Sequence, residues 1–208
     1  MPNVTTAPRA LLLLIAGLVL IVAPALAQEP TAYVLQPESE LTVEGKSNTG
    51  DWLVTATAIT GGMTMQANAS AAPGLQDVHI TIPTEQIKAK NLLMRKNMRK
   101  TLKVATHKEI HYALKEVVDA APSDEGANAF TFVTLGDLTI GGETREVEMT
   151  VLGTMLDNGQ VHLAGSYSFK MSDYNLTERR FMFGQFVLAD EVQVKYTAKF
   201  APDVAGSQ

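Results

Sequence analysis

The two histidines at positions 107 and 111 form the pair in this sequence that most resembles a metal-binding or catalytic motif. On a helix, a spacing of four residues would place both imidazoles on one face, as in many zinc sites. His111, however, falls in an alternating apolar–polar segment typical of a strand, so we expect the two rings to point apart. His79 and His162 occupy polar positions of other alternating segments. We therefore predict that all four histidines are surface residues and that there is no metal site.

Arrangements suited to nucleophilic catalysis are equally hard to find. The chain of 208 residues has no cysteine, and it lacks the G-x-S-x-G turn of serine hydrolases, the P-loop and the dinucleotide fingerprint. Asp173 lies between Ser172 and Tyr174 but has no histidine near it in the sequence, and Asp190-Glu191 is typical of a turn before a strand. We predict that the protein has no catalytic residues and is not an enzyme.

The N-terminal segment predicts export from the cytoplasm. Arg9 precedes an apolar run at 11–22, and Pro24 and Ala25-Leu26-Ala27 then provide a signal peptidase site. The run is shorter than the roughly 20 residues that span a bilayer, although a short membrane anchor is the alternative interpretation. We expect a signal peptide at 1–27, cleaved after Ala27, and one periplasmic or secreted domain at 28–208. The net charge of −5 indicates no general affinity for nucleic acid.

Alternation of apolar and polar residues with a period of two dominates the rest of the chain. This pattern is typical of antiparallel strands with one buried face. Turn residues separate the segments, including Gly61-Gly62, Gly141-Gly142 and Asp157-Asn158-Gly159-Gln160, and 28–37 is interpreted as a lead-in. The alternating segments lie near residues 41–46, 52–58, 78–82, 110–114, 130–132, 138–140, 146–151, 161–171 and 192–200.

One segment, 91–104, follows a helical period instead. Met94, Met98 and Leu102 recur every fourth residue, and basic residues fill the opposite face. The sequence thus predicts an all-β fold, an antiparallel β-barrel of about eight strands with one amphipathic α-helix after the third predicted strand.

Several stretches resemble the YceI-like family, whose members are also described as lipid- or polyisoprenoid-binding. The segment 41–52, LTVEGKSNTGDW, is similar to an opening strand and turn of the family, and 96–110, KNMRKTLKVATHKEI, is similar to its helix and following strand. The segment 138–147, LTIGGETREV, matches a strand–turn–strand pattern of the family. FKMSDYNL at 169–176 and FMFGQFVLADEVQVKY at 181–196 resemble the last strands.

The chain also departs from the family pattern at three places. Glu38-Ser39-Glu40 stands where a His-Ser pair is common, and the usual proline between His107 and Ile110 is missing. Glu178-Arg179-Arg180 replaces prolines found in many members. These positions fall in or near expected loops, so they leave the barrel prediction unchanged and bear on the identity of the ligand.

The resemblance implies a lipocalin-like barrel with an apolar lumen for an isoprenoid chain, such as a quinone or polyprenyl phosphate, and no resident cofactor otherwise. Small inward residues would leave room for it, among them Ala56, Ala58, Gly165 and Ala198, and methionines such as Met182 would adapt to it. Trp52 is either a plug at the barrel end or part of the ligand-facing wall. The residues predicted to line the lumen are Trp52, Val54, Ala56, Ala58, Met94, Met98, Tyr112, Phe130, Phe132, Met149, Tyr167, Phe169, Met171, Phe181, Phe183 and Tyr196.

The basic helix is the candidate for contact with a polar head group. Arg95 and Arg99 lie one turn apart, and such like-charged pairs destabilise a helix slightly, which suggests a use in binding. Arg179 and Arg180 are the second candidate pair. Transient contact with a membrane or an envelope protein, and a homodimer, are left open. The alternative to a carrier is a barrel filled by side chains that acts in the envelope through its surface.

Overall fold

The computed structural model describes residues 29–66, 72–177 and 179–204. The predicted signal peptide therefore lies outside the described residues. Alternating side chains form twelve strands in this part of the chain, and one α-helix, α1 (Leu92–Thr101), interrupts them. The strands are β1 (Thr31–Leu35), β2 (Glu40–Ser47), β3 (Gly50–Ala56), β4 (Thr60–Gln66), β5 (Gly74–Pro83), β6 (Lys88–Ala89), β7 (Glu109–Pro122), β8 (Ala129–Ile140), β9 (Glu143–Met155), β10 (Val161–Lys170), β11 (Arg180–Phe181) and β12 (Phe186–Pro202).

Eight of these strands form a closed antiparallel barrel, in the order β1-β4-β5-β7-β8-β9-β10-β12. The ring closes because the end of β12 pairs with β1, with Leu35 opposite Phe200. The rest of β12 pairs with β2, which continues through β3 to β6 as an extension of the sheet. The predicted all-β, lipocalin-like barrel with one helix is confirmed.

Two predictions about the first third of the chain were wrong. The presumed lead-in contains β1, and the presumed Gly61-Gly62 turn lies inside β4. A side chain at Gly61 would collide with the carbonyl of His79, and one at Gly62 would crowd the carbonyl of Tyr33. The two glycines therefore allow close approach of neighbouring strands, which in the sequence is indistinguishable from a turn signal.

The helix α1 packs against the barrel wall, where Met94 and Met98 contact a buried cluster that includes Val54 and Ile82. Its N-cap residue, Asn91, accepts a hydrogen bond from the backbone N–H of Met94, at 2.8 Å. The helix lies between β6 and β7, and thus later in the chain than the third strand, because β1, β4 and the two-residue strand β6 were not predicted. No helix in the described ranges combines the length and apolar character needed to cross a bilayer.

One end of the barrel is filled by side chains. A buried cluster there includes Tyr33, Met63, Phe132 and Phe200, none more than 9% exposed. The core is therefore solid at this end, and any open interior must lie toward α1.

Candidate functional site: the barrel lumen and its mouth

A cavity of about 260 Å³ lies inside the barrel, between the solid end and α1. Its wall is apolar in most places, with residues such as Leu114, Leu138 and Val194 facing inward from three different strands. The inner face of α1 contributes Met94, Asn97, Met98 and Thr101. We call this cavity the lumen.

Large aromatic side chains lie flat against the lumen wall because they pack over glycines. Gly165 stands opposite Tyr196 on the neighbouring strand, and a Cβ at Gly165 would be 2.5 Å from the tyrosine hydroxyl. Gly136 lies in the same way under the ring of Tyr112, at 2.6 Å. Each ring occupies space that a side chain on the glycine would otherwise fill. The lumen stays open for this reason, although bulky residues line it.

The two tyrosines introduce hydroxyl groups into an otherwise apolar space. Burial raises the pKa of Tyr112 and Tyr196 above the usual value of 10.0, and a hydrogen bond with Thr134 partly offsets the rise at Tyr112. The proximity of Tyr112 raises the pKa of Tyr196 further. Both phenols are therefore neutral near pH 7, where they offer hydrogen bonds to a ligand and no charge.

A second, larger and more polar cavity of about 1220 Å³ lies outside the barrel next to α1. We call it the vestibule. It is formed by the β2–β3 hairpin, the segment from Lys88 to Asn97, and residues around Met182 and Phe186. The residues that line both cavities define the mouth of the lumen, and they are Trp52, Met94, Asn97, Phe186 and Val192.

Trp52 and Asn97 are the residues of the mouth whose side chains can form hydrogen bonds. The Trp52 indole packs over Gly45 and donates a hydrogen bond from Nε1 to the carbonyl oxygen of Lys46, at 3.2 Å. This contact fixes the ring in the wall between the two cavities. Asn97, on α1, borders both cavities and contributes its side-chain amide to the mouth.

Ten of the sixteen side chains predicted to line the lumen do so in the structure. They come from β3, α1, β7, β9, β10, β12 and the turn after β10, and they are Trp52, Val54, Met94, Met98, Tyr112, Met149, Tyr167, Phe169, Met171 and Tyr196.

The other six predicted residues lie outside the lumen. Phe130 and Phe132 belong to the solid end, because their strand runs past the cavity along the barrel axis. Ala56 is buried in a cluster with Ile82 and Ile87, and these two isoleucines line the lumen whereas Ala56 does not. The alternation of side chains along a strand predicts which residues face the barrel interior. It does not predict whether an inward-facing residue lies beside the cavity or at the solid end.

Ala58, Phe181 and Phe183 are placed outside for local reasons. The chain between β3 and β4 breaks the alternation, so Ile59 faces the lumen and Ala58 is exposed. Phe181 packs against Phe186, with ring centroids 6.3 Å apart. Phe183 is fully exposed, in a turn where it and Met182 adopt positive φ.

None of the four predicted head-group arginines lines the lumen or the vestibule. Arg99 pairs with Glu85 at 3.1 Å, on the outer side of the helix. Arg179 pairs with Asp190 at 3.2 Å and holds the turn before β11 against β12. Arg95 and Arg180 are exposed.

Three lysines that are not among the predicted head-group residues border the vestibule instead. Lys46, Lys88 and Lys90 come from the β2–β3 hairpin and from the segment just before α1. The run Lys88-Ala89-Lys90 directly before the helix N-cap was the only available signal, and it does not reveal that the segment lies beside the mouth.

Asp190 holds the neighbouring turn in place rather than facing a ligand. Its carboxylate accepts hydrogen bonds from the Ser172 hydroxyl at 2.6 Å and from the Ser172 backbone N–H at 2.9 Å. The Ser172 hydroxyl is the main cause of a lowered pKa of Asp190, and the backbone bond and Arg179 add to it.

The histidines lie apart from the lumen. His111 lies against Thr81 and Glu109, with ring nitrogens 3.2 Å from each, and His107 packs over Gly142. Within the described ranges, no group of three or more histidine and carboxylate residues is arranged to hold a metal ion.

The combination of a closed eight-stranded barrel, a covering helix and an apolar lumen agrees with a match to a known family. The model of the YceI-like domain matches residues 33–200. The chain belongs to the YceI-like family. No curated protein sequence matches the chain.

Several solved structures share this YceI-like fold at low sequence identity. BcnA of Burkholderia cenocepacia is 16% identical and has a TM-score of 0.61, with 79% of this chain and 98% of BcnA covered. A polyisoprenoid-binding domain from Saccharophagus degradans, implicated in plant cell wall breakdown, is 13% identical with a TM-score of 0.65, covering 83% and 99%. A YceI protein of Campylobacter jejuni is 11% identical with a TM-score of 0.53, covering 72% and 84%.

Proposed function

We propose that the protein binds one long apolar molecule of the isoprenoid or quinone type in the lumen and sequesters or transports it in the cell envelope, without catalysing a reaction. The observation that carries this proposal is the apolar cavity enclosed by the barrel wall and α1. Family membership and the fold shared with a polyisoprenoid-binding domain support it. The alternative of a completely filled barrel fits the solid end and does not fit the cavity beside α1.

The length of the apolar chain that is buried sets the expected strength of binding. Burying a chain of about fourteen carbons would contribute roughly 11 kcal/mol gross, at about 0.8 kcal/mol per methylene. Association costs of about 4 kcal/mol or more would leave at most about 7 kcal/mol, which corresponds to a Kd near 10 μM. Tighter binding would therefore require polar contacts in addition to the apolar chain.

The mouth is the part of the site where such contacts are available. We place the apolar chain in the lumen and the polar end between Trp52, Asn97 and the vestibule. Lys46, Lys88 and Lys90 would then lie near an anionic or carbonyl-bearing head. The predicted export would bring the protein into the compartment where such lipids are exposed at membrane surfaces.

The proposal can be tested through the fluorescence of Trp52, the only tryptophan of the chain. Quinones quench indole fluorescence at close range, so titration with quinones of increasing isoprenoid length should give saturable quenching. Affinity should rise with chain length and then level off once the chain fills the lumen. A quinone head group without a chain should bind weakly.

A pair of matched variants separates lumen binding from surface binding. Ala198 lines the lumen, whereas Ala164, on the neighbouring strand, does not. We expect Ala198→Phe to weaken binding more than tenfold and Ala164→Phe to leave it unchanged. Equal quinone quenching in the parent, Ala198→Phe and Ala164→Phe would contradict the proposal. The absence of saturable quenching at any chain length would contradict it as well.

A further inference from the structure

Exposed apolar side chains are concentrated around the mouth of the lumen. Among the described residues, eight large hydrophobic side chains are exposed, and Leu53, Leu93 and Met182 of this set line the vestibule. Leu92 and Phe183 are their neighbours in the chain, with 77% of Leu92 accessible and Phe183 fully accessible. Single exposed hydrophobics are ordinary on protein surfaces, but five of eight around one opening indicate a surface that contacts something apolar.

The backbone holds one of these side chains outward. Met182 and Phe183 have φ of +52° and +56°, and Gly184 follows with a φ of +86°. The left-handed region is unfavourable for residues with a side chain, and such strain occurs preferentially at functional sites. The turn thus keeps Phe183 at its tip, away from the barrel.

The same region has a strong positive charge in a protein whose net charge is −5. The segment 86–108 contains eight lysine and arginine residues and no acidic residue. Glu85 pairs with Arg99 and Lys108, which neutralises part of this charge. By contrast, Lys88, Lys90, Arg95 and Lys96 form no ion pair within the described ranges. The acidic residues that line the vestibule are Glu44, Asp51 and Glu191, on the β2–β3 hairpin and β12, and Glu44 pairs with Lys195 at 2.9 Å. The segment 86–108 thus carries most of the positive charge of this region, on one side of the vestibule.

We infer that this surface, which we call the docking rim (Leu92, Leu93, Met182 and Phe183, with Lys88, Lys90, Arg95 and Lys96), docks onto an anionic lipid bilayer. Apolar side chains flanked by unpaired cationic residues are the combination that binds such an interface. The apolar residues come from two separate segments and project as tips, which suits a fluid surface better than a shaped protein pocket. Docking there would place the mouth of the lumen against the bilayer.

The inference deepens the proposed function, because a carrier must meet the membrane that holds its apolar ligand. The two can still fail separately. Docking is measured with vesicles and no ligand, whereas lumen binding is measured by quenching of Trp52 fluorescence in solution.

The test is flotation of the purified protein with vesicles of phosphatidylcholine, with and without phosphatidylglycerol. Every variant keeps the same N-terminal segment, so any contribution of that segment to vesicle binding is common to all. We expect binding to the phosphatidylglycerol vesicles, and we expect it to weaken as salt is raised. Leu92→Ser with Phe183→Ser should abolish binding, and Arg95→Gln with Lys96→Gln should weaken it about twenty-fivefold, at roughly fivefold per charge.

Two matched controls carry the same kinds of substitution elsewhere. Val118 is 55% exposed on β7, so Val118→Ser removes an exposed apolar residue away from the rim. Lys115→Gln with Lys170→Gln removes two positive charges from other strands. Neither control should change flotation. In Leu92→Ser with Phe183→Ser, quinone should still quench Trp52 fluorescence as in the parent, because neither residue lines the lumen or the vestibule.

The inference would be overturned if the parent protein failed to float with anionic vesicles, or if the rim variants floated as well as the controls. If quinone quenching were normal in that case, the lumen proposal would stand, and the rim would then serve an acidic protein partner. Flotation that depends on the rim, together with no quinone binding, would support docking and contradict the lumen proposal.

Discussion

The contact between Gly165 and Tyr196 leads to a specific prediction about how the lumen stays open. In Gly165→Ala, the added Cβ would lie 2.5 Å from the Tyr196 hydroxyl, 2.8 Å from its Cζ and 3.0 Å from the carbonyl oxygen of Thr150. Ordinary contacts of this kind are about 3.5 Å, so the ring must move by about 1 Å. The strand wall blocks outward movement, and the ring is therefore expected to tilt into the lumen.

The size of the effect follows from the space that the ring would occupy. Excluding one or two methylene groups of ligand would cost about 1.2 kcal/mol, which corresponds to about an eightfold increase in Kd. The strain of overpacking, about 1–3 kcal/mol, is partly offset by about 0.5–1 kcal/mol from removing a glycine from a strand, so the free energy of unfolding should fall by about 2 kcal/mol or less. The protein should therefore stay folded, and the loss of affinity can be measured on the native state.

The assay is quinone titration by Trp52 fluorescence together with urea unfolding of the same proteins. Gly74→Ala serves as the control, since a Cβ there would be 3.6 Å from the nearest side-chain atom. Adding Tyr196→Phe to Gly165→Ala removes the hydroxyl that makes the shortest contact and should restore part of the affinity. Unchanged affinity in Gly165→Ala, or no recovery in the double variant, would refute the role assigned to the glycine.

Three further predictions concern titration, acid stability and the mouth. Burial raises the pKa of Tyr112 and Tyr196, so the unfolded chain loses these protons first. The contribution of the two tyrosines to the free energy of unfolding should be constant below about pH 10 and should fall above it by up to about 1.4 kcal/mol per pH unit per tyrosine. Denaturant titrations at several alkaline pH values would show this fall, and Tyr196→Phe should reduce its slope. Ser172→Ala should raise the lowered pKa of Asp190 toward its usual value, as measured by NMR titration. The variant should be less stable than the parent at neutral pH, and this difference should disappear as the pH falls through the Asp190 pKa of the parent. An unchanged pKa would rule out the Ser172 hydroxyl as the main cause of the lowered value. Asn97→Leu should lower the affinity for a quinone with a polar head more than the affinity for a plain hydrocarbon of equal length, as measured by competition. An equal effect on both ligands would remove Asn97 from the proposed head-group site.

The sequence predicted the architecture well, because a period of two directly reflects the two faces of a strand. It failed at β4, where Gly61 and Gly62 serve the close approach of strands rather than a turn. It also failed at β1, which is short and pairs with strands distant in the chain. Both failures involve contacts between residues far apart in the sequence, which a local pattern does not contain.

The lumen could be predicted only in part for a related reason. The alternation of side chains along the strands correctly predicted that Met149 and Tyr167 line the lumen. It could not show that Phe132 lies beyond the cavity, at the solid end. It also could not show that Tyr196 lies flat over Gly165. The lysines that border the vestibule were missed because the helical pattern favoured Arg95 and Arg99, neither of which lines the lumen or the vestibule.

The most direct test of the central claim is native mass spectrometry of the protein purified from its own host, followed by organic extraction of any bound molecule. The account predicts one apolar molecule of isoprenoid or quinone type per chain, released on extraction and absent from Ala198→Phe. A protein that carries no ligand, and whose mass stays unchanged after incubation with quinones and polyprenyl phosphates, would contradict it.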